Sequence, residues 1–214
     1  MKKYKAIVFD MGGTLMEYEG MPMNWSRFYR SGFEKVAELN GLKIPDEEIE
    51  RACEVMRSFN PRISGRLVEI AHEVIFHKAM ESWDEMPPVE KAVYDFFSGM
   101  ELKPRTFEYT HELLAGCREQ GMKIACLTDL PTGMPDAMFR SVVEDVVEAL
   151  DLYVSSSTCG FRKPSRETLE YVSDRLGVGL DEILFVGDEE KDQQTAENAG
   201  CDFMYIADLL ISVG

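Results

Sequence analysis

The chain is short of cations. Its 23 lysines and arginines stand against 39 aspartates and glutamates, a formal net charge of −16 over 214 residues. Such a surface repels nucleic acid and anionic membranes, so neither is an expected partner. It repels anionic small molecules as well, and a phosphate site here must gather its own cations, a bound metal and a lysine. No apolar run approaches the length of a membrane span, and Met1-Lys2-Lys3 leads straight into a strand without the apolar stretch of a secretory signal. The expected compartment is therefore the cytoplasm. Five cysteines, at 53, 117, 126, 159 and 201, are odd in number and form no C-x-x-C pair, which argues against a disulfide framework or a zinc site. Cys126 and Cys201, in or beside apolar runs, read as small buried thiols. Of the 3 histidines, His72 and His77 are five apart and do not share a helix face, and His111 reads as a surface or packing residue. Internal repeats and low-complexity linkers are both missing.

What is present is an ordinary globular composition, 45% hydrophobic and 29% charged, long enough for one or two domains. The stretch Ala6-Ile-Val-Phe9 is an apolar run that ends in Asp10 and meets Gly12-Gly13-Thr14, a strand feeding a tight turn. From Asn24 to about Gly99 the pattern is helical. Phe28, Phe33, Val36 and Leu39 recur at helical spacing before Asn40-Gly41. Pro45-Asp46 restarts a helix that stops at Asn60-Pro61, a third segment runs from Leu67 to Trp83, and a short helix follows Pro87-Pro88. Strands and helices then alternate: a helix over 107–120, strands at 123–128 and 152–154 flanking a helix over 142–150, a helix after Pro164, a strand at 183–187, a helix over 195–199, and a last strand at 203–206. This pattern predicts an α/β fold, a Rossmann-like doubly wound parallel sheet with an inserted α-helical domain. The core comprises 1–18 and 100–214, and the insertion 19–99.

Four strand ends carry polar groups: Asp10, Thr128 with Asp129, Lys163, and Asp188 with Asp192. A parallel sheet gathers such ends along one edge, where ligands bind. Two carboxylates can share a Mg²⁺, a hydroxyl can donate to a phosphoryl oxygen, and a lysine can neutralise a transferring phosphoryl group. The backbone of Gly12 and Gly13 adds oriented amides for an anion.

This set, in this order, resembles the haloacid dehalogenase superfamily of phosphotransferases. Asp10-Met-Gly-Gly-Thr14 is similar to the first motif, Thr128 with Asp129 to the second, Lys163 before Pro164 to the third, and Gly187-Asp188-Glu-Glu-Lys-Asp192 to the fourth. The helical block sits where the type 1 cap of that family is inserted. The resemblance implies a small phosphorylated substrate and an aspartyl-phosphate formed on Asp10. It implies Mg²⁺ held by Asp10, the carbonyl of Gly12 and Asp188, with Thr128 and Lys163 on the phosphoryl group. Asp192 supports the lysine or the metal shell.

One position departs. The family's phosphatases carry an acid/base aspartate two residues after the nucleophile, and here that residue is Gly12. General acid–base catalysis is worth about 10²–10⁴-fold, so turnover is expected to be slow, least so for aryl or acyl phosphates. Asp129, where the family usually has asparagine, is a replacement acid or a purely structural residue. Phosphonate hydrolases also lack the second aspartate and use a cap lysine, for which Lys35 or Lys43 are the candidates. A third alternative is a phosphometabolite-binding protein with little turnover. Arg62 and Arg66, on the turn between two cap helices, either grip a second anionic group of the substrate or pair with nearby glutamates. Glu189-Glu190-Lys191 reads as a solvated loop. Met21, Met23 and Trp25 read as packing, with a crevice-facing role as the alternative.

Overall fold

The computed structural model describes residues 4–213; the reading of Met1-Lys2-Lys3 lies outside them. Strands β1 (Ala6–Phe9), β4 (Lys123–Thr128), β5 (Leu152–Ser155), β6 (Ile183–Gly187) and β7 (Asp202–Tyr205) form one parallel sheet in the order β5-β4-β1-β6-β7. From β1 the chain builds outward through β4 to β5, then crosses to β6 on the other side of β1. That reversal makes the carboxyl end of β1 a topological switch point, where open α/β sheets hold their ligands. Register brings Phe9 level with Cys126 and Val186, so Asp10, Thr128 and Asp188 leave the sheet side by side.

Alternation within the strands divides the core. Ile7, Phe9, Ile124, Cys126, Leu184 and Val186 face one layer, while Ala6, Val8, Ala125, Leu127 and Phe185 face the other. The second layer is closed by Leu169, Val172 and Leu176 of the helix Glu167–Leu176 and by Ala196 and Ala199 of the helix Glu190–Ala199. The first is continuous with the interior of the helical block, which packs Phe33, Phe76 and Phe96 edge-on or tilted at centroid distances of 4.8–6.2 Å. The block comprises Tyr29–Leu39, Asp46–Phe59, Pro61–Ser64, His72–Met80 and Val89–Ser98, preceded by the 3-10 turn Trp25–Phe28.

Several elements differ from the sequence reading. A two-stranded antiparallel ribbon, β2 (Met16–Tyr18) with β3 (Pro104–Thr106), carries the chain into and out of the helical block. Three-residue strands leave too little alternation to be seen in sequence. The helix expected from Leu67 starts at His72, because Leu67–Glu69 are drawn into extended pairing with residues 160–162. The helix expected over 142–150 is two, Asp136–Ser141 and Glu144–Glu148, the first entered from Pro135 and the break falling at Val142-Val143. The helix expected from Thr195 begins at Glu190, and the last strand is followed by a helix over Ile206–Val213. Leu39, which recurs at helical spacing with Phe33 and Val36, is exposed.

Candidate active site

Asp10 follows the buried strand β1 and is itself buried. Lys163 Nζ lies 2.8 Å from Asp10 Oδ1 and 2.5 Å from Asp192 Oδ1, an ion-paired triad closed to solvent. Asp192 belongs to the first turn of the helix Glu190–Ala199, where its Oδ2 accepts the backbone N–H groups of Asp188 and Glu189. One residue therefore fixes both the lysine and the turn that presents Asp188. Each Asp192 oxygen is already engaged, although Asp10, Asp188 and Asp192 offer carboxylate oxygens within 4.8 Å of one another. Gly187 makes this possible, since a Cβ there would meet Asp192 at 2.5 Å.

Gly13 plays a different part from the amide donor expected of it. Its N–H already donates to the Met16 carbonyl at 2.7 Å. What it supplies is room: φ is +83°, and a Cβ would lie 2.2 Å from Asp188 Oδ2. Asp188 also accepts from Thr14 Oγ1 at 3.3 Å. Gly12 borders the cavity, and nothing lies within 4 Å of the position its Cβ would take.

Charge is unevenly compensated here. Burial raises the Asp10 carboxyl, against the opposing pull of Lys163, and Asp192 adds repulsion. Asp188 is raised by burial and by the charges of Asp192 and Glu189. Burial alone would discharge Lys163, but Asp10, Asp192 and Asp129 more than offset it and keep the ammonium charged. The cluster is thus short of positive charge, and its donors are hard oxygens, the set that Mg²⁺ prefers. The residues fit a divalent cation.

Asp129 is held by a backbone N–H and by cations. Its Oδ1 accepts the Lys163 N–H at 3.1 Å, and its Oδ2 sits 3.5 Å from Lys191 Nζ and 4.0 Å from Arg162. Burial would raise its carboxyl, but Arg162, Lys191 and Lys163 outweigh that and hold it below the ordinary range. A carboxylate so held is a poor proton donor, which disfavours it as the replacement acid.

Thr128, Asp10, Gly12, Gly13, Asp129 and Lys163 all border a cavity of about 600 Å³ between the sheet edge and the helical block. Arg62 and Arg66 border it too, yet both are committed. Arg62 makes a two-pronged pair with Glu189 at 2.7 and 3.0 Å, and Arg66 donates to Glu69 and to the carbonyls of Phe59 and Val68. Both arginines pair with glutamates while bordering the cavity. Glu189 is accordingly a bridge rather than a solvated loop residue. Trp25, Met21 and Met23 line the cavity, whereas Trp83 is core. Lys35 pairs with Glu38 and Lys43 is exposed; neither is among the cavity's described lining residues. His111 is exposed beside Asp145.

Sequence reasoning missed a second tie. Glu69 N–H donates to the Gly160 carbonyl and Arg162 N–H to the Leu67 carbonyl, with Val68 bridged antiparallel to Phe161. The Glu69 carboxylate binds Arg162 Nη1 and Ser156 Oγ, and Arg162 Nη2 donates to the Leu130 carbonyl. The strap 67–69 is thereby fastened to the loops that follow Asp129 and precede Lys163. No local pattern announces it; Glu69 and Arg162 are 93 residues apart.

Comparison with known proteins agrees with this geometry. A phosphoglycolate phosphatase of Salmonella paratyphi A is 27% identical over 120 residues, 55% of this chain and 47% of that protein, so the chain matches about half the length of such curated relatives. Among solved structures, a predicted phosphoglycolate phosphatase from Haemophilus somnus 129PT superposes with a TM-score of 0.58 at 17% identity, covering 100% of both chains. CbbY from Rhodobacter sphaeroides, in complex with phosphate, gives 0.56 at 18% identity over 94% of this chain and 85% of its own. A family model described as haloacid dehalogenase-like hydrolase matches residues 4–200, and the chain belongs to that family.

Proposed function

We propose that this protein is a Mg²⁺-dependent phosphatase of a small phosphorylated metabolite, acting through an aspartyl-phosphate on Asp10. The observation that carries the proposal is the Lys163 ammonium held between Asp10 and Asp192, beside Asp188 and Thr128 at the switch point. Asp10 and Asp188, with the Gly12 carbonyl, would hold the metal, which when bound neutralises charge on the phosphoryl oxygens. An Asp10 carboxylate oxygen attacks phosphorus, the bond to the ester oxygen breaks, and water then cleaves the aspartyl-phosphate to release orthophosphate. Lys163 and the Thr128 hydroxyl bind the phosphoryl group through the reaction, and Asp192 holds Lys163 in place. Residues 19–99 act as the cap, with the remainder as the core, and closure of the cap excludes water.

Release of phosphate from acetyl phosphate or p-nitrophenyl phosphate, measured with and without Mg²⁺, tests the reading. Wild type should turn over and Asp10→Asn should not. If neither substrate shows Asp10-dependent turnover, the enzyme reading fails.

A further inference from the structure

We infer that the substrates are aryl phosphates, monoesters whose leaving group is a phenolic ring seated against Tyr18 and Trp25. The inference rests on the phosphatase reading above and adds the chemistry of the leaving group. Three independent observations converge on it.

The first is the wall of the cavity. Tyr18 and Trp25 meet edge-to-face with centroids 5.1 Å apart, and Met21, Tyr29, Phe97 and Met100 continue the surface. A cavity of about 600 Å³ falls in the range that encloses drug-sized ligands. A two-carbon acid would leave most of it filled with water against apolar walls.

The second is the state of the cations. Five line the cavity among the described residues, and each already faces a carboxylate: Arg62 with Glu189, Arg66 and Arg162 with Glu69, Lys163 with Asp10 and Asp192, and Lys191 with Asp129 and Glu189. Beyond the phosphoryl group itself, a second anionic group of a substrate meets only cations that already face a carboxylate, with Arg66 Nη2 and Arg162 Nε the buried donors left without a partner among the described residues.

The third is Gly12. Gly12 borders the cavity with open space at its missing Cβ, so the position where the family resemblance puts the acid/base carboxylate holds none. As phosphorus bonds to Asp10, the P–O(aryl) bond breaks with its electron pair on the ring oxygen. A phenol, ionising near ~10 as the tyrosine side chain does, departs as the phenolate and takes its proton from solvent. An alcohol, nearer the ~16 of water, needs the acid that is missing. The apolar wall distinguishes the aryl esters from small aliphatic acyl phosphates such as acetyl phosphate, which also leave without a proton but bring no ring.

The test uses binding and turnover together. In titrations of wild-type protein with Mg²⁺, phenylphosphonate should bind roughly 10–100-fold more tightly than phosphonoacetate, the gain of burying one ring. Trp25→Ala should shrink that ratio and Trp25→Phe should keep most of it. Equal affinities, or tighter phosphonoacetate, overturn the inference. In turnover, phenyl phosphate should exceed propyl phosphate by about 10²–10⁴-fold, with Gly12→Asp narrowing the gap. If acetyl phosphate is turned over in an Asp10-dependent way but the arylphosphonate is not preferred, the phosphatase reading stands and this inference falls. If no ester is turned over yet the arylphosphonate is preferred, it is the phosphatase reading that falls and recognition of an aryl phosphate that stands.

Discussion

Lys163 is the residue on which the site's electrostatics turn, because it is the cation fully buried between Asp10 and Asp192. Lys163→Met removes it and leaves two carboxylates facing each other out of water. Breaking a buried pair in this way costs about 3–5 kcal/mol, so urea unfolding should show a loss of that order together with loss of turnover. Unchanged stability would mean that the carboxylates are relieved by another route. Asp129 carries the opposite sign of shift. Its folded carboxyl is held below its ordinary value of 3.8, so the unfolded chain binds the proton first as pH falls. Its contribution to stability is fully present above that value and is lost as pH drops below it. Asp129→Asn should flatten the acid limb of a stability–pH curve measured by chemical unfolding; an unaltered limb would assign the acid sensitivity elsewhere. Asp10, Asp129 and Asp188 are legible in sequence because each follows an apolar strand directly, whereas Lys163 lies beyond the short helix Ser156–Cys159 and is legible only through the motif. Their roles were less so. Gly13 looked like an amide donor and is instead the space that lets Asp188 approach, a fact of three-dimensional contact that a glycine codon cannot display.

At the scale of elements, the sheet and the helical block were readable from period alone, since strands with four or five buried residues and amphipathic helices carry strong patterns. The devices that join them were not. The β2–β3 ribbon is too short, and the ties from the cap to the core pair residues 127 apart in Arg62–Glu189 and 93 apart in Glu69–Arg162. Those ties have a consequence for dynamics. The strap 67–69 adds two backbone hydrogen bonds and a buried arginine–carboxylate contact between the cap and the loop leading to Lys163. Glu69→Ala takes from Arg162, which is 3% exposed, its nearer carboxylate and leaves only Asp129 at 4.0 Å. Amide hydrogen exchange at Glu69 and Arg162 should then quicken by about tenfold or more, while exchange in β1 and β6 stays at its wild-type rate. Equal acceleration throughout would show that the contact supports global stability rather than the docking of this strap.

At the scale of the whole molecule, the charge balance sets how a phosphate ester arrives. In the proposed reaction Lys163 and a metal hold the phosphoryl group, but these act at contact distance, and the surrounding surface carries the excess of acid, −16 overall. Most enzymes of anionic substrates are helped by their long-range field, and their association slows as salt screens it. Here the sign is reversed. At ~0.01 M ionic strength the field reaches about 30 Å, and at ~0.1 M about 10 Å, so added salt removes repulsion before it weakens the buried pairs. With Mg²⁺ saturating throughout, kcat/KM for a dianionic ester should rise as NaCl is increased from low values, and the change should lie in KM rather than kcat. A fall in kcat/KM over the same range would mean that the field at the cavity mouth is positive despite the net charge, set by Arg62 and Lys191 in preference to the acidic surface behind them.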